Sequence, residues 1–270
     1  MDRVTRGFRL AGVSWRVVVA DPAMLLVLFI GLVGMVVVSG GSFLLLFQRL
    51  PEAGDFRFPN YLMVLPVLWV GSIVSTYCNL VVTVMADHRL RGEDPTVADG
   101  MSVATSRLGR IVSWTLVSLA VGLVLQVIAE RFKLAGTIAS RLVGLAWGLA
   151  TTFVVPVLAL EDVGVKDAVR RSASIFKAKW GESVVAKGTI GLALMVAKIP
   201  ALLVVGLAFL LSVPLGIIVA VLLLGSFVLI SGALGAVVTT ALYRYATDGV
   251  VLGAFTAEDL DAGYRAKKAW

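Results

Sequence analysis

The chain has 270 residues, 59% of them hydrophobic and only 15% charged, with a mean hydropathy of +0.96 and a formal net charge of +7. Soluble domains carry roughly a quarter of their residues charged, so this composition excludes an ordinary soluble globule, and the basic balance fits membrane-flanking loops better than a nucleic-acid binder. One cysteine, Cys78, and one histidine, His88, exclude an intrachain disulfide, a cysteine metal cluster and any site that needs two imidazoles.

Residues 1–20 read as an amphipathic helix. Val4, Phe8, Ala11, Trp15 and Val18 share one face, while Arg3, Arg6, Arg9 and Arg16 sit mostly off it. The apolar run that follows is too long for a signal core, so it is expected to stay as a first span at about 23–47. Asp21-Pro22 supplies an N-cap and a first-turn proline. Residues 49–59 have turn composition, and a second span is expected at about 60–86.

Asp94-Pro95 repeats the cap-then-proline start and opens an interfacial helix at about 95–109. Val97, Met101, Ala104, Leu108 and Ile111 lie on its apolar side, and Arg107 and Arg110 stand near its end. Spans are expected at about 111–129 and 142–160, with Glu130, Arg131 and Lys133 marking the exit between them. Pro156 removes a backbone donor and is the expected kink point of the fourth span. A third interfacial helix, about 164–181, sets Val165, Ala168, Val169, Ile175, Phe176 and Trp180 against Lys166, Arg170, Arg171, Ser174 and Lys177. Then 45 residues, 199–243, pass without an acidic or basic side chain. Two spans fit, about 188–211 and 215–243, folded at Ser212-Val213-Pro214, because crossing a bilayer takes about 20 helical residues.

The expected fold is all-α. It is a single transmembrane domain over 1–247 with six spans arranged as three hairpins, each preceded by a cytoplasmic interfacial helix, and a tail over 248–270. Whether the three units form a true internal repeat stays open. Eighteen of the 24 Lys and Arg residues fall on the side of the termini and five opposite, with Lys198 left over. That asymmetry places both termini in the cytoplasm of a plasma-membrane protein.

Lys198 lies inside the fifth span and has two readings: an anion or lipid contact, or snorkelling to the interface. The expected spans hold no Asp or Glu, so no buried ion pair is expected. Ser75, Thr76, Asn79, Thr83 and Gln126 are expected to hydrogen-bond neighbouring helices rather than to line a path. Gly144 with Gly148, and Gly232 with Gly235, offer small faces for helix packing. Asp87 and His88 are adjacent and point about 100° apart, so they read as a polar flank rather than a hydrolase pair. No phosphate-binding, zinc-protease or nucleophile-elbow motif occurs, and no catalytic residue, metal or cofactor is expected.

Two stretches carry a resemblance: Asp94-Pro95-Thr96-Val97-Ala98-Asp99-Gly100 followed by Ser113-Trp114, and Val157-Leu158-Ala159-Leu160-Glu161-Asp162 followed by Ala168-Val169-Arg170-Arg171-Ser172. With the layout, they resemble uncharacterised six-span bacterial and archaeal membrane domains of unknown function, which are similar to the YciC-like proteins and to the membrane domain of certain glycerophosphodiester phosphodiesterases. The resemblance implies no catalytic residues, and with no phosphodiesterase domain in these 270 residues that activity is not expected. The expected role is a non-enzymatic scaffold or accessory protein that contacts anionic lipid and either its own copies or a membrane-protein partner. The lipid candidates are Arg6, Arg9, Arg107, Arg110, Arg170, Arg171, Lys177 and Lys198. The alternative is a transporter or channel with an anion or lipid site near Lys198.

Overall fold

The computed structural model describes residues 3–47, 58–180 and 203–260, and among them every regular element is a helix. In chain order these are α1 (Arg3–Ala20), α2 (Ala23–Phe47), α3 (Phe58–Leu90), α4 (Val97–Ser106), α5 (Leu108–Arg131) and α6 (Lys133–Ala150). They continue with α7 (Val154–Leu160), α8 (Val165–Trp180), α9 (203–211), α10 (Val213–Asp248) and the short α11 (Ala257–Leu260).

Four stretches are long and apolar enough to cross a membrane: Leu65–Leu90, Leu108–Arg131, Gly136–Leu160 and Phe227–Asp248. A fifth counts if Gly12–Ala20 and Ala23–Met35, bent 89° to one another, make one broken span. The described residues therefore hold four to five candidate spans, the pattern of a multi-pass membrane protein. The expected loop at 49–59 lies largely outside the described residues. So do Lys198, most of the expected span at 188–211, and the end of the tail.

The bend between α1 and α2 follows from Asp21-Pro22. The Asp21 carboxylate accepts the Ala23 N–H at 3.3 Å, capping α2 as expected. Arg89 caps the other side of the corner, donating to the Ala20 carbonyl at 3.1 Å at the end of α1.

The central helix is α3, which packs on α2, α4, α5, α7 and α10. Residues 80–87 are all buried, a full two turns covered on every side. Such burial needs an apolar surface nearly all round, which Leu80, Val81, Val82, Val84, Met85 and Ala86 supply, and the two polar members, Thr83 and Asp87, are buried with partners. Stacking of Trp114 on Trp147, 6.1 Å between ring centroids, joins α5 to α6.

Two local expectations need correction, and a third gains detail. The N-cap of α4 is Thr96, not Asp94. Thr96 Oγ1 accepts the Asp99 N–H at 3.2 Å, and the Asp99 carboxylate accepts the Thr96 N–H at 3.0 Å and its hydroxyl at 2.6 Å. Spacing decides it: the reciprocal box needs an acidic partner three residues on, and Thr96 has Asp99 there. Those bonds hold the Asp99 carboxyl below its ordinary range. Asp94 pairs with Arg89 instead.

The fourth span breaks at 151–153, ahead of Pro156. Pro156 lacks the N–H that would bond the carbonyl four residues back, that of Thr152, and Thr152 lies inside the break, so the interruption falls on the turn the proline is expected to disrupt.

Asn79 and Thr83 bond back to carbonyls of α3 itself, Ser75 at 3.2 Å and Asn79 at 2.8 Å, and Gln126 reaches Glu130 on its own helix at 2.7 Å. The interhelical bonds come from other residues. Trp69 donates to Thr115 at 3.1 Å, and the hydroxyls of Tyr77 and Thr105 lie 2.9 Å apart.

Candidate functional site

Polar chemistry concentrates where α3 and α10 end together. Asp87 sits on the last fully buried turn of α3, its side chain 3% exposed. Arg244 reaches it from α10 with both arms of the guanidinium, Nε to Oδ1 at 2.6 Å and Nη2 to Oδ2 at 2.8 Å. This parallel fork is the strong form of an arginine–carboxylate contact. Arg91, just past the end of α3, adds an ion pair to Asp87 Oδ2 at 3.1 Å, and Asp248 accepts from Arg244 Nη1 at 3.0 Å. The expectation of no buried ion pair is therefore overturned. It ended each span at the first charge, whereas α3 and α10 continue helical and packed through Asp87 and Arg244.

A second set of polar contacts adjoins the first. Glu161 closes α7, and its carboxylate accepts from the Tyr243 hydroxyl and from Arg171 Nε at 3.3 Å. Arg107, between α4 and α5, turns inward and donates to the carbonyls of Leu158, at 2.8 Å, and of Glu161. These belong to the orphan carbonyls at the C-terminus of α7, where a cation also meets the negative end of the helix dipole. Burial there pushes the Arg107 pKa down, with the nearby charge of Arg110 acting in the same direction. Arg110 forms an ion pair with Asp162 and holds that carboxyl below its ordinary range. Tyr243 and Arg244 are consecutive, with the guanidinium carbon 5.9 Å from the ring centroid. The two sets form one polar seam that ties α3, α5, the α7–α8 turn, α8 and α10.

The break between α6 and α7 is sewn to α8 by one hydroxyl. Ser172, fully buried, accepts the Phe153 N–H at 3.0 Å and donates to the Ala150 carbonyl at 2.6 Å. Thr151 and Thr152 bond back to the Trp147 and Gly148 carbonyls at 2.7 and 2.9 Å. Irregular backbone at membrane depth is stable only when such partners are found. Ser172→Ala removes both hydrogen bonds, and losing a bond to a buried backbone group costs about 1–3 kcal/mol. Thermal unfolding of the purified variant is expected to show a clear loss of stability. An unchanged melting point would mean that Ser172 does not bridge the break.

Of the residues singled out in the sequence, Arg107, Arg110 and Arg171 belong to the seam. Arg170 is exposed with Asp167 at 4.0 Å, and Lys177 is exposed on α8. Arg6 and Arg9 fall on α1. His88 flanks α3 with Glu93 at 3.8 Å. A Cβ at Gly144 would meet Leu125 at 3.5 Å, and one at Gly232 would meet Leu28 at 3.6 Å, whereas Gly148 and Gly235 face open space. Sequence reading passed over Asp87, Glu161, Ser172, Tyr243 and Arg244 as site residues. Two signals for them were present: the i,i+4 charge pairs Asp87/Arg91 and Arg244/Asp248. Among the described residues, no three His, Cys, Asp or Glu side chains gather as a metal site.

No curated protein and no solved structure matches the chain. Residues 60–253 match a family described as one of unknown function, DUF6159, and this stretch runs from the first turn of α3 through α10 and takes in every residue of the polar seam. The chain belongs to the DUF6159 family.

Proposed function

We propose that the protein is a non-enzymatic integral membrane scaffold or accessory protein that holds anionic lipid headgroups on a basic collar. In this reading the chain crosses the plasma membrane six times as three hairpins, with both termini cytoplasmic. Its layout is that of the YciC-like proteins and of the glycerophosphodiesterase membrane domains. The carrying observation is α8. It buries Ala168, Ser172 and Ile175 against the bundle and leaves Lys166, Arg170 and Lys177 exposed on the opposite face. Arg107, Arg110 and Arg171 are engaged by carboxylates or carbonyls of the chain itself, so on the described face of α8 the charge most open to lipid is that of Lys166, Arg170 and Lys177.

A basic residue near an anionic surface contributes about 1 kcal/mol. The triple substitution Lys166→Gln, Arg170→Gln and Lys177→Gln is therefore expected to weaken the preference for phosphatidylglycerol over phosphatidylcholine by up to about a hundredfold. The measurement is competitive retention of the two lipids by protein reconstituted in mixed nanodiscs. Equal retention of both lipids by the unaltered protein would overturn the lipid reading.

A further inference from the structure

A second site lies along the apolar part of the bundle, away from the seam. Where α2, α3 and α10 diverge, they leave a recess of about 100 Å³. Its polar groups come from α3: Ser75, Cys78 and Asn79, near the middle of the candidate span Leu65–Leu90. The exposed side chains of Met35 and Val228 line it too, so the recess opens sideways toward lipid. Two glycines make the room. A Cβ on Gly31 would stand 2.6 Å from the Cys78 sulfur, and Gly232 forms part of the wall from α10.

The Asn79 carboxamide is only partly satisfied. One N–H donates to the Ser75 carbonyl at 3.2 Å, and Oδ1 has no hydrogen-bond partner among the described residues. An open amide acceptor surrounded by hydrocarbon favours any partner that can donate to it. Size then limits the partner. At roughly 30 Å³ per water-sized group, the recess holds about three such groups, far less than the 300–1,000 Å³ of a typical small-molecule site. A whole lipid headgroup does not fit, but the end of a chain does. A charge would be costly there, because the described residues around the recess supply no ionised partner.

We propose that this recess binds the hydroxyl end of a slender, uncharged alcohol dissolved in the bilayer. Asn79 Oδ1 accepts the hydroxyl hydrogen, and the apolar walls take the first methylenes. This is independent of the anionic-lipid collar on α8, which shares none of these residues.

Cys78 provides the readout, because it is the only cysteine and its side chain lines the recess. Full-length protein in detergent is alkylated with N-ethylmaleimide, which is neutral and membrane-soluble, in the presence of 1-octanol or of n-octane. Octanol is expected to reach half-protection of Cys78 at a concentration about fivefold lower than octane, the worth of one net hydrogen bond. Asn79→Ala is expected to be alkylated as readily as the unaltered protein and to lose the difference between the two probes.

Equal protection by octane and octanol would mean a void that any hydrocarbon fills, and would overturn the proposal. So would a preference for octanol that survives Asn79→Ala, absence of protection by either probe, or a thiol inert without them. Protection that lifts on dilution of the protein alone would mean that a second copy covers the recess, and would also overturn it.

Discussion

Arg244→Met is expected to destabilise the protein by about 3–5 kcal/mol, because it leaves the Asp87 carboxylate buried without its bidentate partner. Arg91 remains 3.1 Å from Asp87, but its side chain is 41% exposed and makes a single contact, which favours the lower end of that range. The deficit belongs to the stranded charge rather than to the lost attraction. Removing the carboxylate as well, in Asp87→Leu with Arg244→Met, is therefore expected to recover most of the stability, since an apolar pair of similar volume is close to neutral against a buried ion pair. Thermal unfolding of both single variants and the double variant in one detergent gives the coupling between the two sites. If the losses simply added, the two side chains would not be meeting, and the joint between α3 and α10 described above would be wrong.

Gly100→Ala carries the second large effect. A Cβ there would lie 2.8 Å from Val81 Cγ1 and 2.9 Å from the Val81 carbonyl oxygen, with the Val81 Cα at 3.3 Å. A side chain can rotate away, but the carbonyl belongs to the buried backbone of α3. The whole of α4 must then lift off α3. Overpacking of this kind costs about 1–3 kcal/mol. Gly109→Ala is the matched control: it sits in α5 with nothing within 4 Å of its would-be Cβ, and gains up to about 1 kcal/mol of helix propensity. Opposite signs for the two substitutions in chemical or thermal unfolding are the expected result. Stabilisation by both would show that α4 does not rest on α3 at Gly100.

The glycine bears on function as well as on stability. Gly100 lets α4 lie close on the central helix, and Arg107 follows directly after α4. Close seating of α4 is what allows Arg107 to reach the carbonyls at the end of α7. The stretch 94–100 was conspicuous in the sequence as a motif without an evident chemistry. Its chemistry is structural: a capping box at Thr96 and Asp99, then a residue with no side chain where two helices touch.

Much of the helical layout was legible without coordinates. Apolar runs of span length, the corner at Asp21-Pro22 and the two-faced pattern of 164–181 each depend on neighbours a few residues apart, and local periodicity reports such neighbours directly. The boundaries were less legible. Asp87 and Arg244 look like span ends because a charge in hydrocarbon is costly, and that cost vanishes as an argument once each charge has the other. Their partnership spans 157 positions, and nothing in the sequence near either residue names the other. The break at 151–153 was signalled by Pro156, but what holds it together was not. A proline marks where a backbone donor is missing, but the partner that makes an interruption tolerable, Ser172, arrives from a different helix.

By itself, then, the order of residues determined that this chain makes long apolar helices with basic flanks, because hydropathy and helical period are properties of short windows. Only the tertiary structure decided which charges are neutralised within the fold, which small residues are contact points, and where an amide is left open to the lipid. Each of those depends on which side chain a distant helix brings within about 3 Å, the reach of a hydrogen bond.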